Sequence, residues 1–173
     1  VRLPSVLIHA LAATVIYVFA RRIAPRPVPE LAGLLYLLSP GVALGSALMT
    51  TDTPLLLAAA VALPAQRHLG LANVHRSRAP GAAVVLGLAL GFGLLAKYAM
   101  LFWLLGTLGA ALLSPAFRPA RADALLAVTI LLLVVTPHLV WLYQHGFITA
   151  QHVQDITDGA GLSLLRPIRF LAE

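Results

Sequence analysis

The chain contains no cysteine, so no disulfide, no thiolate nucleophile and no cysteine-ligated metal exists anywhere in it. Its redox compartment is left open by that absence. Charge is equally scarce: 10% of the 173 residues are Asp, Glu, Lys or Arg, against about a quarter in a water-soluble domain. With 60% hydrophobic residues and a mean hydropathy of +0.92, the composition is that of an integral membrane protein. Aromatics supply only 7%, so the apolar mass is Leu, Ala, Val and Ile, which suit lipid-facing helices. A disordered chain, a secreted disulfide scaffold and a soluble enzyme are all excluded.

Acidic residues number six against twelve basic ones, giving +6 and a pI near 10.8. The cations do not gather on an amphipathic or aromatic-interleaved patch, so no nucleic-acid partner is expected. They fall between apolar runs, where they act as topology signals. The chain opens on Val1 and closes on Arg169-Phe170-Leu171-Ala172-Glu173 without a terminator. It therefore reads as one transmembrane region, 1–173, from the middle of a longer polytopic protein.

A bilayer core of about 30 Å takes roughly 20 apolar residues per helix. By that measure six segments run at 4–20, 31–49, 54–66, 81–96, 98–114 and 122–143, and an all-α transmembrane bundle is expected. A single helix over 81–113 would reach about 50 Å, so Lys97-Tyr98 is read as a turn between two short spans. Eight arginines occupy three alternate loops: Arg21, Arg22 and Arg26; Arg67, Arg76 and Arg78; Arg118 and Arg121. The positive-inside rule places these loops in the cytoplasm. Asp52, Lys97 and the stretch from His138 to Asp158 then face outside.

Gly41 and Gly45, and Gly87 and Gly91, form four-residue small-residue steps that let helices approach closely in lipid; a dimer interface is the alternative use. No internal repeat, Walker loop or dinucleotide fingerprint is present. Residues 87–93 follow no strand and lead to no Lys-Ser/Thr, so they are not a phosphate cradle.

Charge beside an apolar segment is costly and marks candidate function. Asp52, in Thr50-Thr51-Asp52-Thr53-Pro54, fits a helix N-cap and also a carboxylate able to bind a sugar hydroxyl, a metal or a cation. Lys97, the single lysine, either snorkels to headgroups or meets a phosphate in an outer cavity. Trp141 and Tyr143 suit an interfacial belt at the end of the sixth span. His138, His145 and His152 repeat every seven residues. Zinc ligands on a helix sit three or four apart, so no metal site is expected, although a divalent-metal requirement is left open.

Four stretches, taken in order, resemble the GT-C membrane glycosyltransferases of the dolichyl-phosphate-mannose protein mannosyltransferase (glycosyltransferase family 39) and aminoarabinose lipid A transferase type. They are Ser39-Pro40 leading to Thr51-Asp52-Thr53-Pro54; Gly87 to Gly91 leading to Leu95-Ala96-Lys97-Tyr98; Pro137-His138-Leu139-Val140-Trp141; and Gln144-His145-Gly146-Phe147-Ile148-Thr149 with His152. The resemblance implies a multi-pass enzyme of the bacterial inner membrane. Such an enzyme moves a sugar from a polyprenyl-phosphate carrier to a lipid, protein or glycan hydroxyl on the outer face, with no organic cofactor. It implies Asp52 as the second outer acidic residue, a catalytic carboxylate that deprotonates or orients the acceptor, and Lys97, Tyr98, His145 and His152 as substrate-binding residues. The family's principal base, an acidic pair in a first outer loop, has no counterpart here, so the 173-residue chain alone is expected to be inactive. The segment after the sixth span, with Gln144, His145, Thr149 and His152, is expected to roof the cavity. A transporter segment or a non-enzymatic scaffold is the competing reading, but transporters place ionisable groups at the midplane and show repeated halves.

Overall fold

The computed structural model describes residues 3–48 and 50–146. Its regular elements are seven α-helices and one 3-10 turn: α1 (Leu3–Ala20), α2 (Val28–Leu38), α3 (Pro40–Leu48), α4 (Asp52–Val74), α5 (Pro80–Ala96), α6 (Met100–Leu113), the 3-10 turn Pro115–Phe117, and α7 (Arg121–Gln144). No strand occurs among the described residues, and the all-helical architecture follows from the composition. Two compact units divide the chain, 1–135 and 136–173.

Each of the six apolar runs contributes helix among the described residues, but fewer than the six expected spans are long and apolar enough to cross a membrane. By length and composition α1, α4 and α7 can each cross a membrane, and α2 with α3 makes a fourth span if the bent pair is counted as one. The shorter apolar helices α5 and α6 meet at Lys97-Tyr98, so the turn read from length is present.

Two elements depart from the hydropathy reading. The run at 31–49 is broken at Ser39, where the backbone is extended and α2 and α3 diverge by 52°. Pro40 explains the break, because proline lacks the N–H of the next helical bond and drives the preceding residue out of the helical region. The run at 54–66 is the apolar part of a 23-residue helix that continues to Val74. Arg67 and His68 therefore lie in α4 and not in a loop. At about 35 Å this helix exceeds the hydrocarbon core. Its polar end remains helical because Gln66, Leu69, Gly70 and Ala72 are buried on one face, while Asn73 donates to the Arg118 carbonyl at 2.9 Å.

The core is an alanine seam. Ala58, Ala62, Ala65, Leu69 and Ala72 of α4 pack with Ala83, Leu86, Ala89 and Leu90 of α5. Small side chains let the two backbones approach, so association rests on dispersion contacts in a solvent that gives no hydrophobic drive between helices. The second glycine step packs α5 against α7. A Cβ on Gly87 would stand 2.5 Å from the Ala127 carbonyl oxygen, and one on Gly91 would stand 2.8 Å from Val134. This is the close-packing use of the motif. Gly41, by contrast, has open space around it.

Side-chain bonds sort the helix ends of the first unit into two sets. At one end Asn73 meets the 115–118 turn, and fully buried Asp123 accepts from Arg78 Nε at 2.7 Å and from the Ala79 N–H at 3.1 Å. At the other end lie Ser5, Gly45, Asp52, Thr53 and Lys97. Arg78, read from sequence as a topology signal, also locks the start of α5 to the first turn of α7.

Replacing Gly87 by valine is expected to lower the stability of the detergent-solubilised protein by about 1–3 kcal/mol, because the α7 backbone must move. Gly41→Val should leave the thermal midpoint within error. Equal effects at the two positions would show that the α5–α7 contact is not tight.

Candidate functional site

The site is built on the antiparallel pair α4 and α5. Helix α4 begins at Asp52, with Thr51 in the capping position and making no side-chain cap bond. Asp52 is thus the first helical residue and not the cap, and its carboxylate is used elsewhere. Helix α5 ends at Ala96; Lys97 follows in an extended conformation, its N–H bonded to the Gly93 carbonyl. Lys97 Nζ then donates to Asp52 Oδ1 at 2.6 Å. An acid at a helix N-terminus and a cation at a helix C-terminus each complement the local dipole, and antiparallel neighbours put those two ends together.

Both side chains keep about half their surface open, 45% for Lys97 and 48% for Asp52. An exposed pair of this kind contributes about 0–1 kcal/mol, so stability does not account for the placement. The pair is cheap to open, which suits groups that exchange each other for a ligand.

Directly behind Asp52 lies a buried polar network that the sequence reading did not assign. Ser5 Oγ donates to the Gly45 carbonyl at 2.8 Å and lies 3.2 Å from Thr53 Oγ1. Thr53 Oγ1 is 3.2 Å from His9 Nε2, and His9 Nδ1 is 2.9 Å from the Tyr36 hydroxyl. Ser5, His9 and Thr53 are all buried. The network joins α1, α2, α3 and α4, and a Cβ on Gly45 would press on the His9 ring at 3.2 Å. One signal could have revealed it: Ser5 and His9 are polar, four residues apart, and therefore on one face of an otherwise apolar span.

A pocket of about 280 Å³ opens beside this network, with a mostly apolar wall to which Pro4, Ser5, Ile8, Thr50, Thr51, Thr53 and Pro54 contribute. A second recess, about 570 Å³, is apolar and runs between α4, α5, α6 and α7, with Leu86, Leu104, Leu108 and Leu131 among its walls and Gln66 and Thr107 as its polar members.

Of the other residues singled out, Tyr98 sits half-exposed in the α5–α6 turn next to Lys97. In the second unit His138, Trp141 and His145 stack along α7 and its end, with ring centroids 6.2 and 4.5 Å apart in succession. His145 Nδ1 donates to the Trp141 carbonyl at 2.8 Å, which fixes the ring. Thr149 and His152, and with them the expected roof, lie outside the described residues. Among the described residues no group of three or more His, Asp or Glu is placed to hold a metal.

The model of the dolichyl-phosphate-mannose-protein mannosyltransferase family matches residues 1–141. Among curated proteins, the lipid A galacturonosyltransferase RgtD of Rhizobium johnstonii is 39% identical over 174 residues, covering 99% of this chain and 36% of its own length. The chain thus spans about a third of that relative. No solved structure matches it. The match takes in the Asp52–Lys97 pair, the buried network and six of the seven helices entire, so this integral membrane chain belongs to the dolichyl-phosphate-mannose-protein mannosyltransferase family, within the GT-C glycosyltransferases.

Proposed function

We propose that the protein is a glycosyltransferase of the bacterial inner membrane that takes a sugar from a polyprenyl-phosphate carrier and gives it to a lipid hydroxyl on the outer face. One observation carries the reading: a carboxylate and an ammonium, 2.6 Å apart and half-open, beside a small pocket at one end of a membrane bundle. The relative's name supports a glycolipid acceptor of the lipid A kind. The apolar recess between α4 and α7 supports a ligand with a hydrocarbon tail.

The chemistry is a single displacement. The acceptor oxygen attacks the anomeric carbon, the bond from that carbon to the carrier phosphate breaks, and the acceptor's proton passes to a carboxylate of the outer face, which Asp52 assists by orienting the hydroxyl or taking its proton. The carrier leaves as its phosphate, with the Lys97 ammonium holding the charge that develops. In the resting pair the two groups neutralise each other. An arriving phosphate competes for Lys97 and so frees the Asp52 carboxylate to take a proton. Tyr98, His145 and His152 belong to the substrate-binding set in this reading. No organic cofactor is required, and any divalent metal would act on the carrier phosphate.

Facing the Asp52 end outward follows from the arginines gathered at the other end. Because these 173 residues hold no native cysteine, single cysteines placed in them report topology with no background from this region. In intact cells Ala24→Cys, Ser77→Cys and Ala120→Cys are expected to resist an impermeant thiol reagent, while Thr51→Cys reacts. Labelling of the first three from outside would invert the orientation.

In the full-length gene product, supplied with polyprenyl-phosphate sugars and lipid acceptors, Asp52→Asn is expected to lower kcat about 10²–10⁴-fold. Its thermal midpoint should barely move, since the ion pair contributes so little. Lys97→Gln should weaken donor binding and turnover together. Wild-type turnover by Asp52→Asn would refute the assignment.

A further inference from the structure

Lys97 stands just beyond the end of α5, so the helix alone does not place it. Its backbone is clamped from both sides: the Lys97 N–H donates to the Gly93 carbonyl at 3.0 Å, and the Lys97 carbonyl accepts from the Met100 N–H at 3.1 Å. Those two flanking residues also meet each other. A Cβ on Gly93 would lie 3.0 Å from Cγ and Sδ of Met100 and 3.1 Å from the Ala58 Cβ. Met100, 1% exposed, therefore fills a notch that the missing Gly93 side chain leaves open, with Ala58 of α4 as a wall. An unbranched thioether suits so narrow a space.

Of all the residues of α6, Met100 is the one that is buried, while Leu101, Phe102, Leu105 and Leu112 of the same helix are exposed. The start of α6 is thus held against the bundle through one side chain. Asp52 takes its place from α4, whereas Lys97 takes its place from the turn between α5 and α6. The notch joins these two frames, because Ala58 belongs to the helix of Asp52 and the Gly93 carbonyl holds Lys97. The Lys97 side chain is half-exposed, so its backbone decides where the ammonium can reach.

We propose that Met100, seated in the Gly93 notch, is the positioning residue that holds Lys97 within reach of Asp52. The notch has one right filling. A side chain at residue 93 pushes the turn away from α4, and a shorter side chain at residue 100 leaves the turn loose; Lys97 is displaced in both cases. Met100 and Gly93 act through Lys97 and not on a ligand. The geometry stands apart from the transferase reading, and only its consequence for transfer rests on that reading. There a displaced ammonium serves the leaving phosphate less well, and a misplacement of about 1 Å can cost about 10²-fold in rate.

The test is a reciprocal rescue. In the full-length, membrane-embedded protein carrying Asp52→Cys and Lys97→Cys, with any cysteine outside these 173 residues replaced by serine, the initial rate of bridging by dibromobimane reports how close the two positions lie. That rate is expected to fall about fivefold or more in Gly93→Val, which overfills the notch, and likewise in Met100→Ala, which empties it. In the double variant Gly93→Val with Met100→Ala it should return to within about twofold of the parent, because the valine methyls take the space that the thioether leaves. Two independent losses of stability would add instead. Gly93→Ala, which brings the Cβ alone, is the milder variant should Gly93→Val not fold, with a fall of about twofold expected. Phe92→Ala, on the exposed face beside the notch, should leave bridging unchanged. With Asp52 and Lys97 restored, Gly93→Val should lower transfer about tenfold or more, yet less than about twofold further when Lys97→Gln is already present, since a residue acting through Lys97 then has nothing to act on. Unchanged bridging in both single variants, a double variant no better than either, or an equal further loss beside Lys97→Gln would each overturn the proposal. The expected bridging pattern in a protein that transfers no sugar would uphold the positioning and count against the transferase reading alone.

Discussion

In hydrocarbon a hydrogen-bonding group without a partner costs several kcal/mol, and that constraint organises one end of this protein. Ser5 and His9 lie in an apolar span, and each finds its partners on other helices. Thr53, Tyr36 and the Gly45 carbonyl are those partners, and they come from α4, α2 and α3. Satisfying the network fixes where α4 begins. Asp52, one residue before Thr53, is held at the rim by contacts in which it takes no part.

The other half of the site is placed by packing. The alanine seam between α4 and α5 sets the distance between two antiparallel backbones, and α5 then ends level with the start of α4. Lys97 is thus delivered to Asp52 by methyl groups a whole span long, and the ion pair is a consequence of the fold. At the opposite end, buried Asp123 ties Arg78 and the Ala79 N–H together, so the start of α5 is fixed as well. Both ends of the helix that carries Lys97 are thereby anchored, while the pair itself stays open to exchange.

Much of the fold is legible in the sequence because the bilayer enforces a single rule, apolar length, and each of the six apolar runs contributes helix, although only three or four of the resulting helices are long enough to span. Hydropathy sees only what sits in lipid. It therefore shortens α4, whose polar turns after Gln66 stay helical by packing on the 115–118 segment, and it passes over the Ser39–Pro40 bend, where backbone chemistry and not polarity ends the helix. Asp52 and Lys97 stand out in sequence since charge is rare beside apolar runs. Ser5, His9 and Tyr36 do not, because a neutral polar residue in a span gains meaning only when its partner on another helix is known. The same holds for Arg78 and Asp123, 45 residues apart and each unremarked as a partner of the other.

The central claim is that α4 and α5 bring residues 52 and 97 together at one membrane face. Asp52→Cys and Lys97→Cys, introduced as a pair into a chain that has no cysteine of its own, can be bridged by the short bifunctional reagent dibromobimane. The bridged bimane fluoresces only when both thiols have reacted, and the account predicts strong fluorescence on one polypeptide, with none when Asp52→Cys is paired with Ala79→Cys at the far end of α5. Absence of bridging between 52 and 97 in a folded, membrane-inserted protein would contradict it.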